Sequence, residues 1–192
     1  GGYYFDQVKH PLADATTISE IEKYHIPDFS PLQLEWMHQI AKQHFEHSEK
    51  FVMCRYRSSI LERACELRGW SRFFMDLAGE PKMAQALIEN ITNFYLRNLP
   101  SFLEQVGRYA HLIVNHDDLG NQSNSLISLK MYRTMIKPYH RQIFKAIKEN
   151  SNLFIYMHSD GNIRKFIPDL IEIGVDVLNP LQFSAKDMNP EE

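Results

Sequence analysis

The stretch Leu153–Pro180, LFIYMHSDGNIRKFIPDLIEIGVDVLNP, reads as strand, polar turn, helix, strand. Leu153 to Met157 is an apolar run of strand length, and His158, Ser159, Asp160 and Gly161 follow it at once. Asn162 is the expected cap of a helix that turns Phe166, Leu170 and Ile173 inward, with Ile167 and Ile171 beside them. Gly174 ends that helix, and Val175 to Leu178 forms a second strand closed by Asn179-Pro180. Two strands with a helix between them make a βαβ unit, whose strands run parallel. Ligands of parallel α/β folds meet the carboxyl ends of the strands, which puts His158, Asp160 and Asn179 where chemistry is expected.

Working outward, the same alternation continues upstream. Ser30-Pro31 opens a helix with Leu34, Met37, Ile40, Ala41 and Phe45 on one face. Phe51 to Cys54 is a strand that ends at Arg55, Tyr56 and Arg57, and Ser58 or Ser59 is the expected cap of the next helix, which Gly69 breaks. Phe73 to Leu77 adds a turn, and Pro81 starts a long helix with Met83, Leu87, Ile91, Phe94, Tyr95 and Phe102 inward. Ala110 to Val114 is a strand ending at Asn115-His116-Asp117-Asp118, and a polar loop leads to a helix from about Leu129 to Lys148. Residues 1–30 read as an entry loop with one short helix at Thr17 to Tyr24. Residues 31–192 read as one α/β unit with a parallel sheet, either a (β/α) barrel or a doubly wound sheet. No GxGxxG follows a strand, which weighs against a dinucleotide fold. Four strands are too few to close an eight-stranded barrel.

Composition narrows the class. At 192 residues, 44% hydrophobic and 23% charged, the chain has the make-up of a soluble globular protein. A formal charge of −3 gives no reason to expect nucleic acid or an anionic membrane as partner. No apolar run approaches the roughly 20 residues of a membrane span, and the N-terminus lacks the layout of a signal peptide. Cys54 and Cys65 are too few for a disulfide scaffold, so a reduced cytoplasmic setting is expected. Cys65, mid-helix, reads as a small core residue.

Polar clusters close all four strands, and parallel strands bring them to one face. Asp117-Asp118 reads as an acid/base pair or an anchor for a polar substrate, or else one of the two is a helix cap or a solvated loop residue. His158-x-Asp160 offers a nitrogen and an oxygen to a metal such as zinc, though two ligands do not make a site. Arg55 and Arg57 share a side of their strand and can clamp a carboxylate or phosphate, or form a surface ion pair. His116, Gln122, Asn179 and Gln182 complete the substrate-binding candidates, while His111 and His140 have no evident partners.

NHDDLGNQSNSLISLKMYRTMIKPYHRQIFKAIKE (Asn115–Glu149) and YMHSDGNIRKFIPDLIEIGVDVLNPLQ (Tyr156–Gln182) resemble the uroporphyrinogen decarboxylase superfamily, which includes cobalamin-dependent methyltransferases. GGYYFDQVKHPLADATT (Gly1–Thr17) is similar to the entry segment of its uncharacterised bacterial branch. The resemblance implies a TIM-type (β/α)8 barrel of about twice this length, of which this chain supplies about the third to sixth strands, incomplete at both ends. It implies catalytic roles for Asp117, Asp118, His158 and Asp160. The methyltransferases carry His-x-Cys-Gly at this strand end to hold zinc; here His158 matches and Asp160 replaces the cysteine, giving a harder ligand. The decarboxylases carry Asp-Gly there without the histidine, which Asp160-Gly161 matches, and a substrate-contacting tyrosine where Cys65 stands. Arg55 and Arg57 occupy positions that are small or apolar in decarboxylases.

Three readings follow. The first is methyl transfer involving a small donor or acceptor, or a corrinoid carried by a partner protein, with His158 and Asp160 near zinc. The second is cofactor-free removal of acetate carboxyl groups from a porphyrinogen. The third is a non-catalytic ligand-binding barrel. A homodimer fits any of them.

Overall fold

Serine and threonine caps set the first helices. A computed structural model describes residues 7–189, so the first six residues of the entry segment lie outside it. Thr17 caps α1 (Ile18–Lys23) in a reciprocal box with Glu20, as the expected short helix requires. Ser30 does the same for α2 (Pro31–His47) with Gln33, and Pro31 sits in its first turn. Only Ala41 of the expected apolar face is buried, whereas Ile40 and Phe45 stay partly exposed.

β1 (Met53–Arg55) is followed by α3 (Leu61–Arg68) and α4 (Trp70–Gly79), a full helix where only a turn was expected. Neither Ser58 nor Ser59 caps α3; the cap comes from outside, from Asp117. Gly69, at φ 89°, separates the two helices. α5 (Pro81–Gln105) buries all six residues expected to face inward.

β2 (Leu112–His116) extends two residues beyond the expected strand, and this brings His116 into the sheet. The next helix does not run unbroken. α6 (Leu129–Met131) passes into a π-helical stretch, Tyr132–Ile136, before α7 (Lys137–Asn150). Pro138 is the physical reason: it has no N–H to donate, and its ring would meet the carbonyl four residues back. The Lys137 N–H therefore bonds the Tyr132 carbonyl, five residues back.

β3 (Phe154–His158) leads into a 3-10 turn, Arg164–Phe166, then α8 (Ile167–Glu172) and β4 (Val177–Asn179). Asn162 does not cap this helix; its amide donates to Asp187 at 3.2 Å instead. Phe166, Leu170 and Ile173 are buried as expected, but Ile171 is exposed.

The four strands form one parallel sheet in the order β1-β2-β3-β4. This is the parallel α/β arrangement from which TIM-type barrels are built. The helices pack over the sheet around one apolar cluster that includes Ile113, Ile155, Met157, Phe102 and Phe144. Among the described residues, no helix is long and apolar enough to cross a membrane.

Candidate functional site

The parallel register lines up three polar residues across the carboxyl edge of the sheet. His116 pairs with His158, and His158 pairs with Asn179. The two imidazoles stack, with ring centroids 4.8 Å apart and planes 22° apart.

Each ring is anchored at Nδ1. His116 Nδ1 donates to Glu62 Oε2 at 2.5 Å, and Glu62 lies in the first turn of α3. This hydrogen bond raises the His116 pKa against the opposing effect of burial. Burial pushes the Glu62 carboxyl up, with His116 pulling it back and the charges of Asp117 and Asp118 pushing it further. His158 Nδ1 donates to Asn179 Oδ1 at 3.3 Å. Both Nε2 atoms then face carboxylates without bonding them, at 3.9 Å from Asp118 for His116 and 3.7 Å from Asp160 for His158.

The loops that carry the two aspartates are joined. Asp118 Oδ1 accepts the Asp160 N–H at 2.8 Å, and Gln182 Oε1 accepts the Gly161 N–H at 2.8 Å. Gly161, at φ 81°, lies so close to Asn121 that a Cβ would sit 2.5 Å from its backbone nitrogen. Asp118, Asp160, His158, Asn179 and Gln182 thus meet at one edge, with His116.

Asp117 has a different place. Of the roles open to the Asp117-Asp118 pair, Asp117 takes the cap. It is wholly buried and accepts from the backbone of Ile60, Leu61 and Glu62 at 3.0, 2.8 and 2.9 Å, from Ser59 Oγ, and from His140 Nε2 at 3.0 Å. Burial alone would raise its pKa, but His140 and the α3 amides together hold it below the usual carboxylate value. Its carboxylate is fully occupied and presents no free oxygen to a substrate. His140 therefore has a partner after all, and so does His111, whose Nδ1 accepts the Val52 N–H at 3.1 Å.

Arg55 and Arg57 line a cavity of about 400 Å³ together with Phe29, Glu62, Arg63 and Tyr95. They do so without sharing a strand: β1 stops at Arg55, and Arg57 turns into the left-handed region at φ 53°. Gln122 is exposed, and its backbone carbonyl accepts the Lys186 N–H. Cys65 is fully buried, and burial drives its thiol pKa upward, as for a core residue. Glu62 is the site residue that sequence reasoning missed. Nothing in SSILER marks it, because its role exists only once β2 lies beside α3.

The sequence matches the family described as Uroporphyrinogen decarboxylase (URO-D) over residues 6–181. The chain belongs to that family. A comparison with curated proteins gives no match. Among solved structures, a methyltransferase from Methanosarcina mazei is similar at a TM-score of 0.61 and 16% identity, over 77% of this chain and 40% of that one. At this identity the likeness speaks to fold, and the fold is the TIM-type α/β architecture expected. This URO-D chain spans 40% of the length of that methyltransferase.

Proposed function

We propose that this URO-D chain is an enzyme of methyl transfer, passing a methyl group between a small donor or acceptor and a corrinoid carried by a partner protein. The observation that carries this reading is the histidine row: two stacked imidazoles at the carboxyl edge, each fixed at Nδ1, each with Nε2 turned to a carboxylate. Imidazole nitrogen with carboxylate oxygen is a donor set that fits zinc, and His158 is the anchoring ligand. Zinc bound there would supply a Lewis acid that keeps a thiol acceptor deprotonated. The chain's own residues do the rest. Asn179 fixes the His158 tautomer, the Asp118–Asp160 contact holds the two loops together, and Gly161 allows their close approach.

The test is methyl transfer from methylcobalamin to a small thiol. The parent is expected to turn over and His158→Ala to lose at least about 100-fold in kcat/KM, in line with loss of a metal-held acceptor. Equal rates in the two proteins would refute it.

One observation favours a second reading, decarboxylation of a carboxylated tetrapyrrole. Arg55 and Arg57 line the cavity beside Glu62 and offer two guanidinium groups to substrate carboxylates, in a wall unlike the small or apolar one that the decarboxylases present there. Release of CO₂ from uroporphyrinogen, lost in an Arg55→Gln/Arg57→Gln double variant, would favour it.

A further inference from the structure

We infer that His116, Asp118 and His158 form a three-ligand site for a divalent first-row cation of the zinc class, with Glu62 and Asn179 orienting the two imidazoles from behind.

The inference deepens the methyl-transfer reading, on which it rests for the presence of a cation at this edge. It changes the ligand set, however. The sequence offers His158 and Asp160, two residues apart at the end of β3. The structure offers a third and fourth group from the neighbouring strand. One ligand atom each from His116, Asp118 and His158 lies within 4.8 Å of the others. Tetrahedral zinc with bonds of about 2.0–2.2 Å sets its ligand atoms roughly 3.3–3.6 Å apart. The 3.9 Å between His116 Nε2 and Asp118 Oδ1 needs only a small closing movement.

Three features separate this trio from an ordinary surface cluster. First, both Nδ1 atoms are already used, by Glu62 at 2.5 Å and Asn179 at 3.3 Å. A metal-bound histidine characteristically donates its other ring N–H to a carboxylate or carbonyl oxygen, which fixes the tautomer and leaves one lone pair to the metal. Here two histidines have that arrangement side by side. Second, each Nε2 lies beyond hydrogen-bond reach of the carboxylate it faces, so the lone pairs are uncommitted to those groups. Third, the ligands come from rigid positions. His116 and His158 are directly paired across the sheet, and Asp118 is held by the Asp160 N–H at 2.8 Å. Asp160 is more exposed than any of the three, with its side chain 51% accessible against 17%, 27% and 28% for His116, Asp118 and His158. It stands at the rim, where it can approach a bound cation without being needed to hold it. Two nitrogens and one carboxylate leave a coordination position open, as a catalytic rather than a structural site requires.

The experiment is Zn²⁺ binding by the full chain, stripped with chelator, reloaded and dialysed, and read by elemental analysis. Nitrogen NMR of the histidine side chains serves as an independent readout. The parent is expected to hold one Zn²⁺ per chain, with the Nε2 signals of His116 and His158 shifted and that of His140 unmoved. Asp160→Asn should bind as the parent does. His116→Gln and Asp118→Asn should lose stoichiometric binding while keeping the parent's circular dichroism. Asn179→Ala should weaken affinity by about 10–100-fold. If a histidine variant fails to fold, the NMR shifts of the parent still decide the two imidazole ligands, and the Asp118→Asn and Asp160→Asn pair decides the carboxylate. Binding lost in Asp160→Asn and kept in His116→Gln would overturn this ligand set while leaving a cation at His158 intact. No Zn²⁺ in the parent would overturn the site altogether. One Zn²⁺ on these three residues in a protein that transfers no methyl group would support the site and refute the methyl-transfer reading.

Discussion

His140 Nε2 lies 3.0 Å from the Asp117 carboxylate, and both side chains are wholly inaccessible to solvent. The contact ties α7 to the start of α3 through the end of β2. It also reaches the site, because α3 carries Glu62, which holds His116. Replacing Asp117 by alanine would leave the amides of Ile60, Leu61 and Glu62 and a buried imidazole without their acceptor. Loss of one partner of a buried pair costs about 3–5 kcal/mol. Asp117→Ala is therefore expected to lower the urea midpoint sharply, and His140→Ala to do so less, since the amides keep their cap. Equal midpoints for Asp117→Ala and the parent would remove the carboxylate from this structural role.

The same carboxylate predicts an acid limit to stability. Its pKa in the folded protein is lowered: burial opposes ionisation, but His140 and the amides of Leu61 and Glu62 outweigh it. A group whose folded pKa is depressed contributes stability that is fully present above its unfolded pKa of about 3.9. That contribution fades as pH falls towards the folded pKa. Urea midpoints measured from pH 7 to pH 3 should therefore drop below about pH 4, and Asp117→Asn should flatten part of that drop. Parallel curves for the two proteins would assign the acid sensitivity to other carboxylates.

These two predictions concern a residue whose part in the fold could not be read from the chain alone. Asp117 and Asp118 are adjacent and chemically identical. What separates them is that one points at α3 and His140 and the other at the loop of Asp160, and neither partner is local. By contrast, the Leu153–Pro180 unit was legible, because strand length, glycine and apolar spacing all act over a few residues. His158, Asn179 and Asp118 were legible as edge residues for the same reason. His116 in the sheet was less so: its strand was expected to end two residues earlier, and pairing with β3 extends it. Glu62 and the π-helical stretch were not legible. The first depends on a tertiary contact, and the second on how a helix accommodates Pro138.

Arg68 gives a third prediction, on how the N-terminal segment is held. Its guanidinium is fully buried and bonds Asp76 at 2.7 Å and the carbonyls of Leu12 and Ala15 at 2.5 and 2.7 Å. Arg68→Met would leave the buried Asp76 carboxylate with the longer Arg72 contact at 3.5 Å and release both carbonyls. The expected cost is about 3–5 kcal/mol, with faster proteolysis near Leu12. Arg68→Met/Asp76→Leu removes that buried charge and should recover a good part of the loss. A double variant no more stable than Arg68→Met would show that the carbonyl bonds, rather than the ion pair, dominate.

Gly161 and Gly79 make an opposed pair. Gly161 has φ 81°, and an added Cβ would lie 2.5 Å from the Asn121 nitrogen and 2.6 Å from its oxygen. Backbone cannot yield there without parting the loops that carry Asp118 and Asp160. Strain at such a position costs of order 1–3 kcal/mol, so Gly161→Ala should lower the thermal midpoint. Gly79 ends α4 in ordinary helical backbone with nothing within 4 Å of a Cβ. Alanine there reduces the freedom of the unfolded chain and is expected to stabilise by about 0.4–1 kcal/mol. The comparison is a thermal melt of each variant against the parent. Gly161→Ala should also shift the amide resonance of Asp160, because its bond to Asp118 stretches as the loops separate. An unshifted amide in a protein of parent stability would mean that the loops approach less closely than 2.5 Å implies.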